Sequence, residues 1–160
     1  MDHLLFHIDS RCIHGQIVAG WGVQRQVKRF LLANDQVVAD EWERNQYLST
    51  PGSEFETFVT GIEEAIRLLR TWQDKRQTML IVSSPHDALR IFDGGIVHEL
   101  VTVGNLDPGP DKRSLSASVF VDEQEQRDLL ELMRRGVQVL IQPLPRDKPV
   151  ILAEVLKTDQ

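Results

Sequence analysis

Short apolar runs alternate along this chain with segments whose apolar residues recur at helical spacing. In segment 62–72, for example, Ile62, Ala65, Ile66 and Leu69 fall on one face of a helix. The apolar runs are rich in β-branched residues, which is typical of strands that are buried on both faces of a sheet. The predicted strands are 4–8, 29–33, 55–59, 79–83, 100–103, 119–121 and 137–142.

Helices are predicted in the segments between these strands, and Gly136 is a predicted C-cap. The predicted helices cover 15–25, 37–48, 62–72, 85–92 and 122–135, with a short one from about residue 150, whereas 105–117 is predicted as a long loop. Strands that alternate with helices form mostly parallel sheets. The pattern therefore predicts an α/β fold: a single-domain three-layer sandwich over residues 1–160, with a mostly parallel central sheet and helices on both faces.

Composition and charge narrow the class of protein. Hydrophobic residues make up 41% and charged residues 26% of the 160 positions, as in ordinary soluble domains. The net charge is −6 and no block of basic residues occurs, which argues against nucleic-acid binding. No apolar stretch is long enough for a membrane span and the start lacks a secretion signal, so a cytoplasmic location is expected. The single cysteine excludes an internal disulfide and a cysteine-rich zinc site.

The most informative stretch is the predicted loop after the first strand, residues 9–16. It holds His14, and a neutral imidazole is a competent nucleophile near pH 7. Arg11 offers a planar fork of donors that matches a phosphoryl group. Gly15 lets backbone amides approach phosphate oxygens closely, and a helix that begins there adds unpaired N–H groups. The spacing is compatible with a phosphoacceptor histidine, and also with an ordinary turn or helix cap.

A resemblance strengthens the first interpretation. Residues 7–18 read His-Ile-Asp-Ser-Arg-Cys-Ile-His-Gly-Gln-Ile-Val, and Trp21 follows. This stretch resembles the phosphorylation loop of the mannose/fructose/sorbose-family EIIB subunits of the bacterial phosphoenolpyruvate-dependent sugar phosphotransferase system. Further stretches resemble that family in the same order along the chain: 32–40, 51–52, 63–66, 103–106, 117–122 and 145–149.

The resemblance implies a transferase, a protein-Nπ-phosphohistidine–sugar phosphotransferase. His14 would accept phosphoryl on Nδ1 from a phosphorylated EIIA and pass it to a sugar at the membrane subunits EIIC and EIID, so a cytoplasmic chain peripherally associated with the permease is implied. Arg11 would stabilise the phosphate charge, while Asp9 would brace the loop. The other residues implied in support of the phosphate loop are Ser10, Cys12, Ile13, Gly15 and Gln16. No metal and no cofactor is implied, and a homodimer is one expectation, because members of that family tend to be dimeric.

Polar residues follow several other predicted strands. In open α/β sheets ligands bind beyond the carboxyl ends of the strands, so these residues are candidates for the rim of the site. They could equally serve as helix caps or turn residues. The candidates are Asn34, Asp35, Ser83, Ser84 and Asn105.

Two alternatives stay open. The resembling family usually has Arg where this chain has His7, an acidic residue at Ser10, and Lys in the loop at Ser83. These departures motivate the first alternative, a regulatory histidine phosphoacceptor of an incomplete phosphotransferase system without sugar transfer. Lys112 and Arg113 would compensate for the altered charges if their loop folds over the site. A receiver-like or flavodoxin-like domain is the second alternative, but receiver chemistry needs an acidic pair after the first strand, which Asp9 alone does not supply.

Overall fold

The computed structural model describes residues 2–158 and contains one large sheet with helices on both faces. The seven strands of this sheet are β1 (Leu4–Asp9), β2 (Arg29–Ala33), β3 (Glu56–Thr60), β4 (Thr78–Val82), β5 (Leu100–Asn105), β8 (Gln138–Ile141) and β9 (Val150–Ile151). They lie in the order β3-β2-β4-β1-β5-β8-β9, and all of the strand pairs are parallel except β8–β9. This architecture confirms the predicted fold class.

The helices connect these strands. A short helix α1 (Gly15–Ile17) continues directly as a π-helix (Val18–Gly22). The remaining helices are α2 (Asp35–Ala39), α3 (Glu41–Ser49), α4 (Ile62–Thr71), α5 (Pro85–Asp93), α6 (Glu123–Arg134) and α7 (Leu152–Thr158). A separate two-stranded antiparallel ribbon is formed by β6 (Arg113–Ser114) and β7 (Phe120–Val121).

Alternation along the central strands produces two cores, one on each face of the sheet. On β4, Leu80 packs in the core that contains α4, α5, α6 and α7, whereas Met79 and Ile81 pack in the core that contains Ile17 and Trp21. Every residue of β2 and β4 is buried, as expected for strands that are covered on both sides. The helical layers on both faces therefore follow from the apolar character of successive strand positions.

Four predicted elements differ from the observed ones. The predicted helix 15–25 is an α-helix only over α1 and then continues as the π-helix. The predicted helix 37–48 is divided into α2 and α3, because Asp40 adopts an extended conformation and its carboxylate accepts the backbone N–H of Glu43 at 3.1 Å as the N-cap of α3. The predicted loop 105–117 includes β6, which pairs with β7 outside the main sheet. The segment from residue 150 begins with β9 before α7 starts.

The pairing of β1 with β5 is irregular at the end of β1. Ile8 pairs with Val103 and Asp9 pairs with Asn105, so Gly104 is an extra residue on β5. Such a bulge redirects the side chains around it. It lies at the carboxyl end of the sheet, beside the loop that carries His14.

The sequence also predicted a helix C-cap at Gly136 and no membrane-spanning stretch. Gly136 has a positive φ of 89° after α6, which confirms the predicted C-cap. In residues 2–158 no helix is both long and apolar enough to cross a membrane.

Candidate active site

Asp9, Arg11 and His14 form one hydrogen-bonded group at the carboxyl end of β1. The buried Asp9 carboxylate accepts from Arg11 through three N–H groups: the backbone amide (2.9 Å) and Nε (3.2 Å) to Oδ1, and Nη2 (3.1 Å) to Oδ2. His14 Nε2 lies 3.2 Å from the same Oδ2. The bracing role predicted for Asp9 thus corresponds to its hydrogen bonds with the Arg11 guanidinium and the His14 imidazole.

Asp9 is ionised in this environment. Burial alone would raise the pKa of its carboxyl group, but the hydrogen bonds from His14 and Arg11 outweigh burial and hold the pKa well below its usual value. A carboxylate accepts hydrogen bonds and does not donate them, so the proton shared with His14 lies on Nε2. The lone pair of the neutral His14 ring is therefore on Nδ1.

The Nδ1 atom of His14 has no hydrogen-bond partner among the described residues and is not fully buried. The side chain is 20% exposed, Nε2 makes its only hydrogen bond to described residues, and Nδ1 is not among the buried unpaired atoms. The backbone of His14 is extended, at φ −140° and ψ 169°, and its carbonyl accepts from Ile17 and Val18 as the N-cap of α1. Backbone and carboxylate together fix the ring in one orientation.

The loop is held by a turn at Cys12, which has a positive φ of 61° and donates its amide to the Asp9 carbonyl at 3.0 Å. Cys12 and Ile13 point into the core that also contains Trp21. Burial raises the pKa of the Cys12 thiol to about 11. Cys12 is consequently a packed, protonated thiol and not a second nucleophile.

The outer side of the loop is polar and accessible. Asn105 donates from Nδ2 to the Ser10 hydroxyl (2.7 Å), and Ser10 in turn donates to Asp107 at 2.9 Å. Gln16 is exposed at the start of α1. A Cβ atom on Gly15 would meet no atom within 4 Å, so open space lies beside His14.

The other candidate rim residues stabilise the fold. Asn34 caps α2 and donates to Ser83 Oγ at 3.0 Å. Asp35 accepts from the backbone of Ile62 and from Arg90, and Ser84 caps α5. Within residues 2–158, none of these side chains hydrogen-bonds to Asp9, Arg11 or His14. Among the predicted rim residues, Asn105 alone contacts the loop.

The loop with Lys112 and Arg113 contacts α6. Lys112 Nζ lies 3.1 Å from Glu125 Oε1, and Arg113 donates from Nη2 to Gln126 Oε1 at 2.7 Å. Both side chains therefore contact α6. The structure does not place their charges beside His14, so the predicted compensation by this loop is not observed. Across residues 2–158, no three His, Cys, Asp or Glu side chains are grouped so that they could hold a metal ion.

Sequence reasoning assigned no role to His7, which is fully buried behind Asp9. Its Nδ1 lies 2.6 Å from Thr102 Oγ1, and its Nε2 is 3.8 Å from Asp9 Oδ2. A Cβ atom on Gly104 would lie only 2.5 Å from that Nε2. A glycine inside a strand often marks a place where another group approaches the backbone closely. Gly104 was therefore the sequence feature that could have pointed to His7.

Comparisons with known proteins show the family to which this chain belongs. The family model described as "PTS system sorbose subfamily IIB component" matches residues 3–160. The N-acetylgalactosamine-specific phosphotransferase enzyme IIB component 1 of Escherichia coli is 30% identical over 150 residues, which cover 91% of this chain and 92% of that protein. The sorbose-specific EIIB component of Klebsiella pneumoniae is 27% identical and covers 99% of this chain and 98% of its own length.

Two further matches concern domain arrangement and fold. The mannose-specific EIIAB component of Escherichia coli is 23% identical over 95% of this chain, but only 47% of that longer protein is covered. The solved IIBSor domain of the sorbose permease from Klebsiella pneumoniae superposes with a TM-score of 0.90 at 24% identity, over 99% of this chain and 98% of that one.

Proposed function

Since this chain belongs to the sorbose-subfamily IIB components, the phosphotransferases that carry phosphoryl groups in sugar uptake, we propose that His14 is its phosphoacceptor. The observation that carries the proposal is the hydrogen bond between His14 Nε2 and Asp9 Oδ2. It keeps the proton on Nε2 and leaves the lone pair on Nδ1, which has no hydrogen-bond partner among the described residues. Nδ1 is the atom that carries phosphoryl in the family that the sequence resembles.

The proposed reaction has two steps, transfer of the phosphoryl group to His14 and its transfer from His14 to a sugar. In the first, Nδ1 of His14 attacks the phosphorus of a phosphohistidine on the donor; the new P–N bond forms as the donor's P–N bond breaks, and Nε2 keeps its proton. The imidazole is then positively charged, and the Asp9 carboxylate stabilises that charge. In the second, a sugar hydroxyl attacks phosphorus, the bond to Nδ1 breaks, the hydroxyl proton is released, and His14 returns to its neutral form.

Arg11 neutralises the transferred group in this proposal. Its side chain is 41% exposed, so the guanidinium lies at the surface where donor and acceptor must dock. Phosphoryl transfer depends mainly on in-line positioning and charge neutralisation. The unpaired amides in the first turn of α1, at Gly15 and Gln16, supply further donors on the same side. Ser10, through Asn105 and Asp107, keeps the outer loop in place.

The donor in this proposal is a phosphorylated EIIA. Support comes from the EIIAB relative, whose name joins an A component and a B component in one chain. We also propose that residues 1–160 form one EIIB-like unit that is cytoplasmic, works at the membrane with EIIC and EIID, and assembles as a dimer. Because the curated relatives are named for the sugars they handle, transfer to a sugar is favoured over the regulatory alternative.

Labelling with radioactive phosphoenolpyruvate tests the proposal. The chain is incubated with the general phosphotransferase proteins and its cognate EIIA, and bound phosphate is measured for wild type, His14→Ala and the control His86→Ala. His86 is exposed on α5 and touches none of the site residues described above. We expect the label on wild type and on the control, acid-labile and base-stable, and none on His14→Ala. Equal labelling of all three proteins would refute the assignment.

A further inference from the structure

His7 is buried next to the proposed active site, and its Nε2 atom faces the Asp9 carboxylate. His7 Nε2 is fully buried and has no hydrogen-bond partner among the described residues. It lies 3.8 Å from Asp9 Oδ2, beyond hydrogen-bond distance. That oxygen is already occupied by Arg11 Nη2 at 3.1 Å and His14 Nε2 at 3.2 Å. A buried polar atom without a partner is rare, and calls for an explanation.

The tautomer of His7 follows from the charge that it faces. A lone pair on Nε2 would point at the ionised Asp9 carboxylate 3.8 Å away, which is unfavourable, so the lone pair is on Nδ1. Nδ1 then accepts from the Thr102 hydroxyl at 2.6 Å, in preference to the longer 3.4 Å contact of that hydroxyl with the Phe6 carbonyl. The ring proton of a neutral imidazole is then on Nε2 and points toward Asp9. Burial lowers the pKa of His7, which keeps the ring neutral. The charged or titratable groups that face it are Asp9, Arg11 and His14.

Phosphorylation changes what Arg11 contacts. In the resting site Arg11 binds Asp9 through Nε and Nη2, although its side chain is well exposed. A phosphoryl dianion on His14 Nδ1 attracts the guanidinium more strongly than a single carboxylate does. A move of Arg11 toward phosphate would leave the buried Asp9 carboxylate short of a donor, which is strongly unfavourable unless another donor replaces it.

We propose that His7 is a positioning residue that replaces Arg11 on Asp9 when Arg11 turns to the phosphoryl group. A shift of about 1 Å brings His7 Nε2–H into hydrogen-bond distance of Asp9 Oδ2. The carboxylate then stays fixed and keeps hold of the Nε2 proton of His14 while the phosphate is neutralised. Gly104 leaves no side chain between the two groups, since a Cβ there would lie 2.5 Å from His7 Nε2 and 3.0 Å from Asp9 Oδ2. The inference rests on the proposed role of His14.

Two variants of His7 separate donation from packing. His7→Gln keeps an N–H group near the position of Nε2, whereas His7→Leu has similar volume and no donor. In rapid-quench measurements of transfer from phospho-EIIA, we expect His7→Leu to be about 10- to 100-fold slower than wild type, the effect of one hydrogen bond to a charged group. His7→Gln should stay within about threefold of wild type. Equal slowing of both variants would indicate a packing role and overturn the proposal.

The Arg11→Ala background provides a second test. If His7 replaces Arg11 on Asp9, His7→Leu should slow transfer in the Arg11→Ala background at least as much as in the wild-type background, because His7 is then the donor that takes the place of the Arg11 side chain. No additional loss in the double variant would contradict the exchange. Melting temperatures of all variants show whether each remains folded.

A measurement on the wild-type protein avoids any folding defect of the variants. In ¹⁵N-histidine spectra, the Nε2–H resonance of His7 should move downfield when His14 is phosphorylated. Unphosphorylated Arg11→Ala should already show the shifted resonance, because Asp9 then lacks its Arg11 partner. An unchanged resonance in phosphorylated wild type would mean that Arg11 bridges both groups, and would refute the proposal. Failure of His14 to label at all would instead refute the proposed function.

Discussion

Replacement of Asp9 by Asn tests the central feature of the site with a change of only one atom type. Asn keeps one oxygen and exchanges the other for an NH₂ group. Oδ1 receives two N–H groups from Arg11, so the amide oxygen fits best there and the NH₂ group faces His14 Nε2. Two donors cannot face each other, and the His14 proton therefore moves to Nδ1. The nucleophilic lone pair is then turned inward, away from the incoming phosphoryl group.

The magnitude follows from the hydrogen bond that is lost. A hydrogen bond to a charged group contributes about 1.5–3 kcal/mol. At 1.36 kcal/mol for each factor of ten, this corresponds to a rate of phosphorylation about 10- to 150-fold below wild type. The assay is rapid-quench transfer of labelled phosphate from phospho-EIIA, with the extent of folding checked by circular dichroism.

Asp107→Asn is the matched control. Asp107 is exposed in the segment after β5, where it accepts from Ser10 and Asn105, and no hydrogen bond joins it to His14 among the described residues. We expect its rate to stay within about threefold of wild type, because surface polar contacts contribute little. The reasoning would be refuted if Asp9→Asn transferred phosphate as fast as this control.

The Asp9→Asn variant also tests how the stability of the fold depends on pH. The pKa of Asp9 is lowered in the folded protein, so ionised Asp9 stabilises the fold above its unfolded pKa of about 3.9. That contribution is lost as the pH falls through about 4 toward the lower folded pKa. Urea unfolding at pH 7 and at pH 3 should therefore show a larger loss of stability for wild type than for Asp9→Asn.

Two further predictions concern glycine and cysteine positions. Gly104→Ala places a Cβ 2.5 Å from His7 Nε2 and should reduce the free energy of unfolding by about 1–3 kcal/mol. The added Cβ of Gly15→Ala meets no atom within 4 Å, so the free energy of unfolding of that variant should lie within about 0.5 kcal/mol of the wild-type value. Similar denaturant midpoints for the two variants would contradict this steric argument. The Cys12 thiol, with a pKa raised to about 11, should react with a thiol reagent at pH 8 at least about tenfold more slowly in the folded protein than in urea. Fast labelling of folded protein would show that the loop opens.

The predicted chemistry of the loop corresponds to contacts that are local in sequence. Asp9, Arg11 and His14 lie within six positions, and the strand end, the turn at Cys12 and the start of α1 bring them together without any distant segment. Local spacing also predicted most strands, since runs of apolar residues must be buried wherever the sheet places them. The break at Asp40 was missed because a single extended residue interrupts helical periodicity without changing the apolar pattern.

The alternation of strands and helices, the α/β class and the motif that contains His14 could all be inferred from the order of residues in the chain. The contacts between polar residues from distant segments could be known only from the folded structure. The partner of His7 is Thr102, 95 residues away in the chain and directly opposite His7 in the pairing of β1 with β5. The same is true of Asn34 with Ser83 and of Lys112 with Glu125, which stabilise the fold away from His14. Such pairs depend on strand order and register, which are fixed by packing of the whole sheet and leave no periodic signal in the chain.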